Sequence, residues 1–262
     1  MDLQLADQHV LVTGASRGIG LAVVRAFLAE GARVTATARR ATPELTATGA
    51  AFVAADLSTP EGPRRMVEEV LSAGPRLDVL VNNAGGGILP DKLSDDPFDA
   101  GDEVWAAAFA LNFEAAVRTT RAALPALVEA RGAVVNISSD SARRPGSEPL
   151  AYASAKAALN TFSRGLAERV AASGVRVNSV TPSATRTSLV TGPDGYVAQV
   201  AAGLGIPHEA LVSALPQQNG MLTDALIDPA EIARAVLLLA SPAMPSAIGA
   251  NWSVDAGATK AV

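Results

Sequence analysis

The sequence predicts an α/β fold: a doubly wound parallel sheet of about seven strands with helices on both faces. Three observations predict it. Short apolar runs of strand length alternate with longer segments of helical periodicity, the pattern of βαβ units. Hydrophobic residues make up 49% of the 262 and aromatics only 4%. The core must therefore be built mainly from Ala, Val and Leu, which suits helices packed on a parallel sheet. Finally, the first apolar run passes through a Gly-rich turn straight into a helical pattern, the opening of a doubly wound sheet.

The elements follow in order. Residues 9–13 (His-Val-Leu-Val-Thr) read as a buried strand. The turn Thr13-Gly14-Ala15-Ser16-Arg17-Gly18-Ile19-Gly20 leads into a helix that runs to about Glu30, where Gly31 stops it. Further strands are expected at 33–37, at 51–55 before Asp56, and at 77–81 before Asn82-Asn83-Ala84-Gly85. An amphipathic helix separates the last two at 60–73. A long helix at 102–131 is expected to break near Asn112 or Pro125. A strand at 133–137, a loop at 138–149 and a helix at 152–173 capped by Gly174 come next. A strand at 175–180, a helix at 229–240 and a short strand at 251–254 close the pattern. No internal linker or charge block divides the chain, so residues 1–262 read as one domain. The acidic, turn-rich stretch 91–102 reads as a surface loop. Residues 188–227 combine weak periodicity with scattered Gly and Pro, and such a long irregular segment reads as a lid over the site.

Composition excludes several functions. Net charge is −5, which argues against a nucleic-acid partner. There is no cysteine, so disulfides, thiol catalysis and thiolate metal sites are ruled out. His9 and His208 lie far apart in sequence and suggest no zinc site. The N-terminal residues do not form a signal peptide, and no apolar run approaches a membrane span. A soluble cytoplasmic protein is expected.

Two constellations carry chemistry. In the Gly-rich turn, Gly14 allows the tight bend, while Gly18 and Gly20 allow close approach of ligand and sheet. Backbone N–H groups around Ser16, Arg17 and Ile19, with the helix dipole, would attract a pyrophosphate. The spacing is Gly-x3-Gly-x-Gly, not Gly-x-Gly-x2-Gly, and an ordinary tight strand–helix turn is the plainer alternative. The second strand ends Thr37-Ala38-Arg39-Arg40, without the acid that would bind the 2′-hydroxyl of NAD. Arg39, with Arg17 nearby, favours NADP(H), and NAD(H) is the alternative. Asp56-Leu57 ends the third strand; Asp56 reads equally as a partner for the adenine amino group or as a turn aspartate before Pro60. The second constellation is Tyr152 and Lys156. Four residues apart on a helix, they share one face, and the ammonium should lower the phenol pKa from about 10. Such a phenol can exchange a proton with a carbonyl oxygen. With a dinucleotide beside it, the chain reads as a nicotinamide-dependent oxidoreductase acting on a carbonyl or alcohol.

Together these residues resemble the short-chain dehydrogenase/reductase superfamily in its single-domain form, over about residues 7–257. Its motifs stand here as Thr13 to Gly20, Asp56, Asn82-Asn83-Ala84-Gly85, Asn112, Ser139 and Tyr152-Ala153-Ser154-Ala155-Lys156. The resemblance implies a Rossmann-like fold. It makes Tyr152 the general acid in reduction and the base in oxidation. Lys156 would tune Tyr152 and hydrogen-bond the nicotinamide ribose, and Ser139 would bond the substrate oxygen. Asn112 would hold a water linking Lys156 to solvent. Asn83, Ala84 and Gly85 would line the adenosine side, with Asn83 bracing the central strands. Ser138 should point away from the site.

After the sixth strand the family usually has Pro-Gly, and this chain has Pro182-Ser183. Ser does not share the freedom of Gly at positive φ, so either the loop runs differently or Ser183 reaches into the pocket. Thr185 and Thr187 match the family's contacts to the nicotinamide carboxamide and pyrophosphate. Near the end, Val254-Asp255-Ala256-Gly257 stands where Asp-Gly-Gly is frequent. Substrate specificity is expected from 86–89, 141–150, Ser183 and the lid. Arg143 and Arg144 read as a partner for a substrate carboxylate or as solvated cations. The resemblance also implies a homotetramer with two-fold axes, or a dimer, across the two long helices and, at a second interface, the last helix and strand. Three functions fit: an NADP(H)-dependent carbonyl reductase of ketone or 3-oxoacyl type; an NAD-dependent alcohol, polyol or steroid-type dehydrogenase; and a non-catalytic nucleotide sensor. Residues 170–173 lack the basic residue that carrier-protein reductases often show there, and Arg131 is the nearest substitute.

Overall fold

The computed structural model of the chain describes residues 1–87, 101–147 and 149–260. Its seven strands are β1 (His9–Thr13), β2 (Arg33–Ala38), β3 (Ala51–Ala54), β4 (Val79–Asn82), β5 (Ala133–Ile137), β6 (Arg176–Pro182) and β7 (Asn251–Val254). They form one all-parallel sheet in the order β3-β2-β1-β4-β5-β6-β7. The fold class is the one expected, a Rossmann-like sheet with helices on both sides. The order reverses between β1 and β4, and the crevice beyond their carboxyl ends is where such sheets bind ligands.

Alternate strand residues feed two cores. Val10, Val12, Val79, Val81, Val135 and Ile137 pack on one face, against helices α1 (Gly18–Ala29) and, late in the chain, α10 (Pro229–Ala240). Leu11, Leu80, Val134 and Val177 pack on the other, against α3 (Gly62–Ala73), α5 (Ala115–Ala130) and α6 (Leu150–Val170). Both faces of the sheet are apolar, so β1, β4 and β5 are fully buried strands, as a doubly covered parallel sheet requires.

Several expectations shift. The long helix at 102–131 does break, and at Asn112. There α4 (Asp102–Phe109) passes through a π turn, Ala110–Glu114, before α5 resumes. Pro125 sits inside α5 without ending it. A short helix α2 (Pro43–Thr46), N-capped by Thr42, adds to the expected elements. The expected irregular segment 188–227 holds three helices: α7 (Ser188–Thr191), α8 (Tyr196–Leu204) and α9 (His208–Gln218). Their sequences show no apolar stripe because they bury so little: Val197 and Ala201 in α8 and Pro216 in α9. Both ends of this segment are pinned together. Thr185 bridges Ile227, Arg186 N donates to Ile227 O at 2.8 Å, and the Arg186 and Asp228 side chains pair at 2.5 Å.

The two departures at glycine positions resolve differently. Ser183 takes no positive φ, so the loop does not run differently on its account. Ala256 does, at φ 50°, a left-handed conformation that costs an L-residue roughly 1–2 kcal/mol.

Candidate active site

A cleft of about 860 Å³ opens at the carboxyl ends of the central strands. The turn after β1 forms one end. Gly14 has φ 63°, and a Cβ there would come within 2.8 Å of Ala84 Cα. A Cβ on Gly20 would run into Gly14 O and lie 2.5 Å from Asn83 Nδ2. Gly20 therefore lies beneath the turn and lets it pack on β4, while Gly14, Ser16, Arg17, Gly18 and Ile19 line the cleft. No side chain caps the start of α1, which leaves its first N–H groups for an anion. These features fit a bound pyrophosphate.

Asn83 braces this end as expected. Its Nδ2 donates to Thr13 O at 2.9 Å and Gly14 O at 3.1 Å, and Thr13 Oγ1 accepts from the Asn83 and Ala84 N–H groups. Arg39 and Arg40 are exposed on the cleft wall beside Asp56 and Leu57. Asp56 is a turn aspartate: one carboxylate oxygen accepts from Ser58 N at 3.0 Å and Ser58 Oγ at 2.7 Å. Those bonds, with Arg39 nearby, hold its carboxyl below the usual aspartate range.

At the other end stand Ser139, Tyr152, Lys156, Pro182, Ser183 and Thr185, with Ala84 and Gly85 between the two, while Thr187 lies at the turn end, where a Cβ on Gly18 would come within 3.1 Å of its side chain. Lys156 projects from α6 into a dry site. It is 3% exposed, Nζ donates to Ile137 O at 2.9 Å, and Nζ lies 5.8 Å from the Tyr152 ring centroid. Burial pushes its pKa down to about 8. A side chain at Gly85 would crowd Asn112 Oδ1 at 2.8 Å and Lys156 Nζ at 3.2 Å. Asn112 stands behind the wall rather than in it. Its Oδ1 accepts from Gly86 N at 2.9 Å, and its Nδ2 donates to Gly86 O and Ala108 O. The π turn thus presents a carboxamide that fixes the loop after β4. Ser139 heads a short 3-10 turn, accepting from Ser141 N at 3.2 Å and from Ser141 Oγ at 2.9 Å. Ser138 is 2% exposed.

Arg143 is exposed, as a solvated cation would be, and Arg144 is only partly so; both have partners within the chain. Arg143 donates to Ser253 Oγ at 3.1 Å; Arg144 donates to Asn219 O at the end of α9 and lies 3.5 Å from Asp140 Oδ2. The lining also includes residues that the sequence motifs do not single out, Asp140 and Asn219 among them. An acid directly after Ser139 with an arginine four residues on was the available signal for the first. The helices after β6 cover the loop after β4: a Cβ on Gly87 would lie within 2.5 Å of the Tyr196 ring. Of the specificity segments, residues 88, 89 and 148 lie outside the described residues, as do residues 91–100 of the acidic surface loop.

Comparison with known proteins decides the family. The profile of a family described as short chain dehydrogenase matches residues 8–193. This chain belongs to the short-chain dehydrogenase family. A relative in Bacillus subtilis (strain 168), named uncharacterized oxidoreductase YvrD, is 34% identical and 98% of each chain is covered. Galactitol 2-dehydrogenase (L-tagatose-forming) of Cereibacter sphaeroides is also 34% identical, with 95% of this chain and 93% of that one covered. The solved L-sorbose reductase of Gluconobacter frateurii, in complex with NADPH and L-sorbose, matches with a TM-score of 0.87 at 29% identity over 100% of both chains. The chain is thus an oxidoreductase of the short-chain dehydrogenase family with a nicotinamide-cofactor fold. Among the described residues no helix is long and apolar enough to cross a membrane, and no His/Asp/Glu cluster could hold a metal.

Proposed function

We propose that this short-chain dehydrogenase is NADP(H)-dependent and moves a hydride between the nicotinamide and a ketone or secondary alcohol. The observation that carries the reading is the gathering of Ser139, Tyr152 and Lys156 at one end of a cleft whose other end is the Gly-rich turn. When bound, the nicotinamide supplies or accepts the hydride. The chain does the rest. Tyr152 gives its proton to the carbonyl oxygen in reduction and takes one from the alcohol in oxidation. Ser139 Oγ donates to the same oxygen and stabilises the charge that develops there. The Lys156 ammonium favours the phenolate and bonds the ribose. Asn112 serves the water relay through its backbone, since its carboxamide is engaged with Gly86. The Gly-rich turn and Thr187 hold the pyrophosphate, with Asp56, Leu57, Asn83, Ala84 and Gly85 along the adenosine and Pro182, Ser183 and Thr185 at the carboxamide end.

NADP(H) is preferred because Arg17, Arg39 and Arg40 line the cleft and no acid ends β2; the NADPH bound by the sorbose reductase agrees. NAD-dependent polyol oxidation is the second reading, supported by the similarity to galactitol 2-dehydrogenase. Residues 188–227 act as the lid of one domain spanning the chain. The working unit is a cytoplasmic homotetramer, with apolar surface left at Val128 and Ile248 near the two expected interfaces.

Titration of NADPH and NADH by protein fluorescence quenching tests the cofactor. NADPH is expected to bind about tenfold more tightly, and Arg39→Asp to erase or invert that preference. An unchanged ratio in the variant means that Arg39 does not read the 2′-phosphate.

A further inference from the structure

The reacting end of the cleft holds a charge that the hydride step does not use. Asp140 follows Ser139 at the end of β5, is 5% exposed, and lines the cleft with Ser139, Tyr152, Ser183 and Asn219. Its contacts are loose. Ser139 Oγ lies 3.4 Å from Oδ1, and the Arg144 guanidinium 3.5 Å from Oδ2, beyond good hydrogen-bond length. Arg144 is already engaged with Asn219 O. Asp140 Oδ2 and the Oγ of Ser183, itself 8% exposed, are buried and neither makes a hydrogen bond of good geometry among the described residues, although the Ser183 hydroxyl is near enough to Asp140 to help hold its carboxyl down. Burial pushes the Asp140 carboxyl up; Ser183, Arg144 and Ser139 oppose the rise, and Asp255 adds to it. Buried polar atoms are nearly always satisfied, and leaving them bare is costly. Two such atoms on the wall of a binding cleft call for a polar group on the ligand.

On the proposed reading Ser139 Oγ bonds the reacting oxygen, which fixes where that group sits. The two oxygens of an α-hydroxy ketone sit on adjacent carbons, and Ser139 Oγ and the Asp140 carboxylate are neighbours, with Oγ 3.4 Å from Oδ1, so one substrate can present an oxygen to each. We propose that Asp140, with Ser183, is a specificity site for a hydroxyl on the carbon next to the reacting carbonyl. The substrate class is then α-hydroxy ketones and the matching vicinal diols, the chemistry of ketoses and polyols, rather than simple ketones. Asp140 accepts from the substrate hydroxyl, and Ser183 completes the hydrogen bonding of that oxygen or of Asp140. Serine in place of the family's frequent glycine at 183 is what supplies the second group. Arg144 and Asn219 tie this corner to the lid, so closure would seal the same hydroxyl from water.

The inference rests on the oxidoreductase reading, and a matched pair of substrates separates the two. Acetoin and butanone share one carbon frame and differ by the adjacent hydroxyl. With the full chain and NADPH, kcat/KM for acetoin should exceed that for butanone by at least about 100-fold, since a site built to bond a hydroxyl rejects the analogue that lacks it. Asp140→Leu should lower the acetoin value about 100-fold and the butanone value far less, so that the acetoin/butanone ratio collapses; Ser183→Ala should lower acetoin about tenfold. Asp140→Asn keeps the shape of the turn and covers the case of a misfolded leucine variant; it should also narrow the ratio at unchanged NADPH affinity. Equal rates on the two ketones, or an equal loss on both in the Asp140 variants, would overturn the specificity site while the reductase stands. Turnover of neither ketone with NADPH or NADH would overturn the ketone–alcohol reading of the site and the inference with it.

Discussion

The two ends of the cleft are built from opposite materials. At the turn after β1 the working parts are backbone: glycines that admit close packing, uncapped N–H groups of α1, and Thr13 joining β1 to the loop after β4. Its charges, on Arg17, Arg39 and Asp56, are exposed and cost little to keep. At the reacting end the working parts are side chains. Lys156, Asp140, Asn112, Ser139 and Ser183 are each 8% exposed or less. Withdrawing such groups from water is expensive. The turn end, which on the proposed reading takes the cofactor, can therefore be stable before anything binds, whereas the end proposed to react holds its groups against the stability of the fold.

Lys156 gives that difference its largest expression. Its pKa falls from the ordinary lysine value to about 8 through burial. Below pH 8 the folded chain must hold an ammonium in a dry site, a cost of about 3 kcal/mol. Between pH 8 and about 10.4 the unfolded chain binds the extra proton, so the unfolding free energy rises with pH and the cost disappears. Urea unfolding of the apoprotein should show this rise, and Lys156→Met should flatten it while gaining stability at pH 7. Parallel slopes in the two proteins would mean that Lys156 carries no such penalty.

The cofactor end should fail in a different way. Gly20→Ala would drive a methyl group into Gly14 O and Asn83, and backbone on one side cannot yield cheaply. A loss of about 2 kcal/mol is expected, with weakened NADPH binding and no change in the pH slope. A variant as stable as the parent would show that the turn has slack. The smallest effect is expected away from both ends. Ala256→Gly relieves a left-handed alanine and should stabilise the chain by about 1 kcal/mol after the extra freedom of the unfolded state is counted, at unchanged turnover. A lower melting temperature would contradict that strain.

Legibility in the sequence follows the same division. The sheet could be read because strands buried on both faces are continuous apolar runs. The Gly-rich turn and the Tyr152–Lys156 spacing could be read because their geometry is local. The three helices in 188–227 could not, since each buries too few side chains to leave a period. Asn112 was expected at a break, but its grip on Gly86 depends on a π turn that spacing does not encode. Asp140 and Asn219 are 79 positions apart and meet only through Arg144, a contact of tertiary structure. Ser183 stands out in the sequence as a departure, yet its conformation and its place beside Asp140 need the fold.

The central claim is that Tyr152 performs the proton transfer in a cleft whose cofactor end stands independently of it. The direct test is Tyr152→Phe, with NADPH affinity and turnover measured on the same preparation. Turnover should fall at least about 1000-fold, with the NADPH dissociation constant within about twofold of the parent. Retained turnover would contradict the assignment of Tyr152, and a matching loss of NADPH binding would contradict the independence of the two ends.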